Sequence, residues 1–141
     1  MCWCSSTLVT RNSGDEKVLI YKVLGLNYGI LKAYFYNDFM YILDHIYEAK
    51  INPEYPTSNR YVINQGLHCY SAKCKFKYNY SSVSVMCTTE ARRYPDSFYT
   101  KAVVAKGYIP PNTKYYINEE GEIVTESLVL TEIMVNDVLD V

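Results

Sequence analysis

At 141 residues, 49% hydrophobic and 21% charged, the chain has the composition of one globular domain, residues 1–141, with a single core, well away from the balance that keeps a chain disordered. Fourteen Lys and Arg against fifteen Asp and Glu leave a formal net charge of −1, so there is no field of one sign to draw in phosphate backbones or anionic lipid, and neither nucleic acid nor a membrane is expected as a partner. No run approaches the ~18–20 apolar residues that span a bilayer, and the opening MCWCSSTLVTRNSGDE lacks the charged start and apolar stretch of a secretory signal, which makes the cytoplasm the expected location.

Residues 17–24, KVLIYKVL, follow the turn-like Asn12-Ser13-Gly14-Asp15 and are rich in β-favouring side chains, which predicts a central strand with Val18 and Ile20 in the core. After a connection over 25–29, residues 30–36 read as a second strand. From Asp38 the pattern changes: Phe39, Ile42, Leu43 and Ile46 recur at helical spacing behind a capping Asp, predicting a helix over 38–48. Pro53 and Pro56 make 51–59 a predicted loop, since each removes a backbone donor. A short strand over 60–64 closes at Gln65-Gly66. Strands over 73–80 and 82–88 suit a hairpin, and 89–94 suit one helical turn before Pro95. Three strands follow, over 101–109, 114–117 and 123–135, the last broken near Glu126. With no internal repeat, the expected architecture is α+β: a mostly antiparallel, curved sheet carrying one or two short helices.

The chemistry-bearing residues are few. The five cysteines, Cys2, Cys4, Cys69, Cys74 and Cys87, are odd in number and form no CxxC pair, so free thiols are expected. His68, Cys69, Cys74 and Cys87 are zinc-ligand types, but their spacing matches no structural-zinc pattern, and no metal is expected. Lys73, Lys75 and Lys77 alternate with Cys74, Phe76 and Tyr78; that pattern suits single-strand binding, and equally a strand with one wet face. Gly66 is expected in a conformation poorly open to other residues, placing His68 against the sheet with a ring nitrogen hydrogen-bonded to the protein; His45 falls on the polar side of the predicted helix. Sixteen tyrosines suit half-buried sheet faces and interfaces alike.

Glu120 and Glu122, at i and i+2 where a strand begins, resemble the Glu-x-Glu end of the NAD-using ADP-ribosyltransferases. Tyr21-Lys22 is similar to that family's first-strand Tyr-Arg, and Ser82-Val83-Ser84 to its Ser-x-Ser, in the same order along the chain. That resemblance implies NAD as cofactor and Lys22, His68, Ser82, Glu120 and Glu122 as catalytic residues. Lysine stands where the family clamps phosphates with arginine and cannot reproduce its bidentate fork. The same Asn118-Glu119-Glu120-Gly121 run also reads as a polar hairpin turn.

Over most of its length the chain resembles a family of small uncharacterised proteins from gut Bacteroides-type bacteria and their phages, with YKxL, GxHSF and IPKGSKYY segments in order. The carrying residues are the initial Met-Cys, Ile20-Tyr21-Lys22-Val23-Leu24, Gly66-Leu67-His68-Cys69-Tyr70, Ile109-Pro110-Pro111-Asn112-Thr113-Lys114-Tyr115-Tyr116 and Leu130-Thr131-Glu132-Ile133. Cys69 and Asn112 depart from the Ser and Gly of that layout. The resemblance implies a phage or mobile-element protein working in the host cytoplasm, without a cofactor. The expected activity is binding of another protein or a small ligand, as a host-defence antagonist or virion component, with His68, Tyr70, Tyr115 and Tyr116 as the ligand-contacting residues.

Overall fold

The computed structural model describes residues 3–27, 30–33, 39–57, 60–71 and 101–134. Strand β3 (Val18–Asn27) organises the fold, because both of its edges are paired. One edge runs beside β10 (Lys101–Ile109), from Val18 opposite Ile109 to Leu26 opposite Lys101. The other is shared: Ile20 and Tyr21 pair with β9 (Leu67–Ser71), and Leu24 to Asn27 with β4 (Ile30–Ala33). Beyond β10 the sheet continues through β13 (Ser127–Met134) to β6 (Ile46–Glu48). Beyond β9 it continues through β12 (Glu122–Thr125) and β11 (Lys114–Ile117) to β2 (Thr10–Asn12). The two-residue β5 (Met40–Tyr41) pairs with β4, and the chain then turns into β6 at the far edge of the sheet. Leu24, Leu31, Tyr41, Leu128 and Leu130 belong to the main core cluster.

A second, three-stranded sheet has the order β1 (Trp3–Ser5), β8 (Arg60–Gln65), β7 (Asn52–Thr57). It packs on the large sheet through Trp3, Ile51, Ile63, Tyr116 and Val124. Gly66 is the corner where the chain leaves β8 for β9. Its φ is +132°, and a Cβ there would lie 2.5 Å from Val124 Cγ2, so the corner needs both the conformation and the missing side chain.

The α+β expectation is corrected: among the described residues every regular element is a strand, every pair is antiparallel, and no helix occurs. Within the predicted helix over 38–48, the described residues 39–48 form β5, a turn and β6. Asp44, at φ +61°, breaks the run, and the side chains in helical register are largely the exposed ones: Phe39 42%, Ile42 65% and Ile46 52%, against 6% for Tyr41. The predicted loop over 51–59 contains β7, which tolerates Pro53 and Pro56 because it is the edge of its sheet and its register shifts twice. The central strand is observed, with Ile20 fully buried and Val18 packed on the core, and it runs on through Gly25 to Asn27. The strands over 60–64, 101–109 and 114–117 are seen, and the break near Glu126 separates β12 from β13. The hairpin over 73–88, the turn at 89–94 and the Lys73-Lys75-Lys77 run lie outside the described residues. Among the described residues no helix is long and apolar enough to cross a membrane.

Candidate functional site

Strand register sorts the sequence-derived candidates onto two faces. Lys22 lies between Ile20 and Leu24, both fully buried, and opposite Ala105, so it points into the main core. Its ammonium donates to the His68 carbonyl and sits 5.5 Å from the Tyr41 ring centroid. Desolvation lowers its pKa to about 8 against the opposing influence of Cys69. Burial likewise raises the Cys69 thiol to about 12, with Lys22 opposing, and raises the Tyr41 hydroxyl, helped by Cys69 and Tyr47. A thiol held that high stays protonated at neutral pH and is no nucleophile.

His68 faces the other way, opposite Val124. Its Nε2 donates to the Asn64 carbonyl at 3.1 Å, and burial lowers its pKa, so the ring is a neutral imidazole holding the Gly66 corner. Glu122 shares that face, opposite Tyr70, and accepts from Asn118 Nδ2 at 3.1 Å. Glu120 precedes the strand in an exposed turn, where the Asn118 side-chain oxygen accepts from the Glu120 and Glu122 amides. The two acids thus belong to the polar hairpin turn from β11 to β12. Lys22 and Glu122 project from opposite faces of one sheet, so the described geometry does not bring them into one cleft; Ser82 lies outside the described residues.

The expected ligand-contacting tyrosines are largely interior. Tyr70 is 5% and Tyr116 3% exposed. The Tyr116 ring packs 6.1 Å from Trp3, and its hydroxyl accepts from Thr10 Oγ1. Tyr115 lies on the opposite, main-core face. Cys4 and Cys69 carry free thiols; Cys2, Cys74 and Cys87 lie outside the described residues. Among the described residues no group of three or more His, Cys, Asp or Glu is placed to hold a metal ion.

An apolar surface that periodicity assigned to the interior stands in the open. Lys32 opposite Met40 and Leu31 opposite Tyr41 set the β4–β5 register, which turns Leu31 and Tyr41 inward and Ile30, Met40 and Ile42 outward. Ile30 is 44% exposed, Met40 55%, and Ile42 65%. Phe39 packs its ring 4.9 Å from Tyr41 and 5.7 Å from Tyr47, and the Ile42 amide donates to the Tyr47 hydroxyl at 2.7 Å, contacts that brace the turn. No family model, curated protein or solved structure matches this chain.

Proposed function

We propose that the protein acts by binding another protein through the apolar surface on and beside the β4–β5 hairpin, with Ile30, Met40, Ile42 and Ile46 as contacts. The carrying observation is the concentration of exposure: Phe39, Met40, Ile42 and Ile46 all fall within residues 39–46, and each is at least 42% exposed. Apolar residues scattered singly over a surface need no explanation, whereas a cluster on a braced bend is what an interface presents. Covering each of these partly exposed side chains is worth about 1 kcal/mol, a useful share of a moderate affinity. Lys32, Asp44, His45 and Glu48 supply a rim of both signs, which suits a protein partner better than a polyanion.

The resemblance to phage-associated proteins supports a phage or mobile-element origin and the host cytoplasm as working compartment, with antagonism of a host protein or a virion role as the outcome of binding. The test compares tagged wild-type protein with the Met40→Lys/Ile42→Asp double variant in affinity capture from a Bacteroides-type host lysate, and incubates both with labelled NAD. A partner retained by the wild type and lost by the folded variant is expected, with no nicotinamide release. Identical capture by both proteins, or NAD cleavage that vanishes in Glu122→Gln, overturns the reading.

A further inference from the structure

A second feature, distinct from the apolar surface, is the outer edge of β6. The large sheet ends on this strand, which pairs with β13 on one side: Glu48 opposite Ser127, Tyr47 opposite Leu128 and Ile46 opposite Val129. The Ala49 amide donates to the Glu126 carbonyl at 2.9 Å, and that bond fixes the alternation along the antiparallel pair. Tyr47 and Ala49 turn their backbone groups toward β13, so Ile46 and Glu48 turn theirs away from it. Among the described residues no hydrogen bond occupies the outward amides and carbonyls of Ile46 and Glu48.

Other sheet ends are guarded in ways that β6 is not. Strand β7 carries Pro53 and Pro56, β2 is the wholly polar Thr10-Arg11-Asn12, and the Cys4 carbonyl of β1 accepts from Asn118 Nδ2. Strand β6 has neither proline nor lysine, and its Ile46 is 52% exposed. Such an edge is a template for one more strand.

The edge itself says which strand fits. When a second β6 lies antiparallel to the first, one register uses both outward residues of both copies. It sets Ile46 opposite Glu48 of the second copy, closes four backbone hydrogen bonds and places a two-fold axis at Tyr47. A shift by two residues one way sets Glu48 against Glu48 of the second copy. The same shift the other way sets Glu48 toward Asp44, whose amide is already bonded to the Leu130 carbonyl; either way like charges meet and two of the four bonds are lost. The two-fold register instead brings the Lys50 end of one strand to the Asp44 end of the other, and both residues are exposed. We propose that the chain forms a two-fold dimer by β6-to-β6 pairing, which joins the two large sheets edge to edge. A three-residue contact is small, so the dimer is weak, with a Kd of about 0.05–0.5 mM. Edge pairing leaves the sheet faces open, so this proposal does not rest on the apolar contact surface.

Sedimentation equilibrium of the full chain from about 10 µM to 1 mM tests this, together with amide hydrogen exchange at both ends of that range. A monomer–dimer equilibrium is expected, with the Ile46 and Glu48 amides gaining protection at high concentration while the Tyr47 and Ala49 amides, already bonded to β13, change little. Glu48→Pro removes an outward donor that the fold itself does not use, and is expected to weaken association about tenfold or more without unfolding the chain. Ile46→Pro is expected to do the same. The exchange pattern of the wild type carries the test if either variant fails to fold. Met40→Lys/Ile42→Asp, which leaves the edge intact, is expected to dimerise like the wild type. A monomer up to about 1 mM, association that survives both proline variants, protection that bypasses Ile46 and Glu48, or dimerisation abolished by Met40→Lys/Ile42→Asp overturns the proposal.

Discussion

At the scale of single residues, Lys22 turns a charge toward the main core at a cost in desolvation. Its folded pKa of about 8 lies below the ordinary 10.5, so between those values the folded chain binds fewer protons than the unfolded chain and stability rises with pH. Cys69 works in the opposite sense: its thiol rises from 9.0 to about 12, so its contribution falls as pH climbs above 9. The net gain is therefore confined to about pH 8–9; the two groups offset each other up to the ordinary lysine value of 10.5, and above it the losses at Cys69 and Tyr41 remain. Lys22→Met removes the desolvated charge but leaves the His68 carbonyl without its donor, for a net gain of about 1–2 kcal/mol at pH 7. Urea unfolding at pH 7, 8 and 9 checks this; a variant that keeps the wild-type rise between pH 8 and 9 would show that the Lys22 ammonium is hydrated in the folded chain. Gly66 offers a steric counterpart. An Ala Cβ there meets Val124 Cγ2 at 2.5 Å and Ile51 Cγ1 at 3.2 Å in a backbone region hostile to side chains, so Gly66→Ala is expected to cost about 2–4 kcal/mol in chemical denaturation. A cost under ~1 kcal/mol would mean that the corner relaxes freely.

At the scale of elements, β8 and β7 differ in what a proline does to them. Val62 is paired on both sides, with Cys4 of β1 and Glu54 of β7, so Val62→Pro is expected to cost at least ~3 kcal/mol and to unseat the small sheet. Pro53→Ala, on the edge strand beside a register shift, is expected to change stability by less than about 1 kcal/mol. Thermal unfolding of both variants checks the contrast, and comparable losses would refute the edge assignment. The same contrast explains which elements were legible in the sequence. The central strand was, because Ile20 and Leu24 alternate into a core on a β-branched run. Strand β7 was not, because proline is a reliable breaker only where a backbone donor is needed, and an edge demands fewer of them. The helix reading of 38–48 failed because Phe39, Ile42 and Ile46 fit a helical period without being core residues. Their exposure is the feature that now suggests function, and a period test treats apolar residues as interior by assumption. Of the candidate site, His68 was legible as a bonded ring beside a special glycine. The separation of Lys22 from Glu122 was not, because the two lie on non-adjacent strands and only their register reveals which face each takes.

At the scale of the whole molecule, β1 clasps the small sheet to the large one through a few polar contacts around a buried indole. Trp3, 1% exposed, donates from Nε1 to the Glu122 carbonyl at 2.8 Å, and Asn118 Nδ2 donates to the Cys4 carbonyl at 2.9 Å. Beside them the Glu119 carboxylate accepts from the Ser6 hydroxyl, the Ser6 amide and the Ser5 hydroxyl. The Ser6 hydroxyl is the largest influence that lowers the Glu119 pKa to about 2. A depressed carboxylate contributes stability that is present above its ordinary 4.5 and is lost as pH falls toward about 2, so the clasp is expected to loosen across that interval. Glu119 is fully solvent-exposed, so the effect is small and salt-sensitive, and it acts on the docking of β1 rather than on global unfolding. Trp3 is the only tryptophan in the chain, which makes its fluorescence a direct reporter of that docking. A red shift developing between pH 4.5 and 2 is expected in the wild type. In Glu119→Gln and in Ser6→Ala the shift should begin at higher pH or be present already at neutrality, because the charged acceptor or its main donor is gone. An emission profile identical in all three proteins would show that Trp3 is held by its packing on Tyr116 and its bond to Glu122 alone, with the Glu119 contacts contributing nothing to the closure of the two sheets.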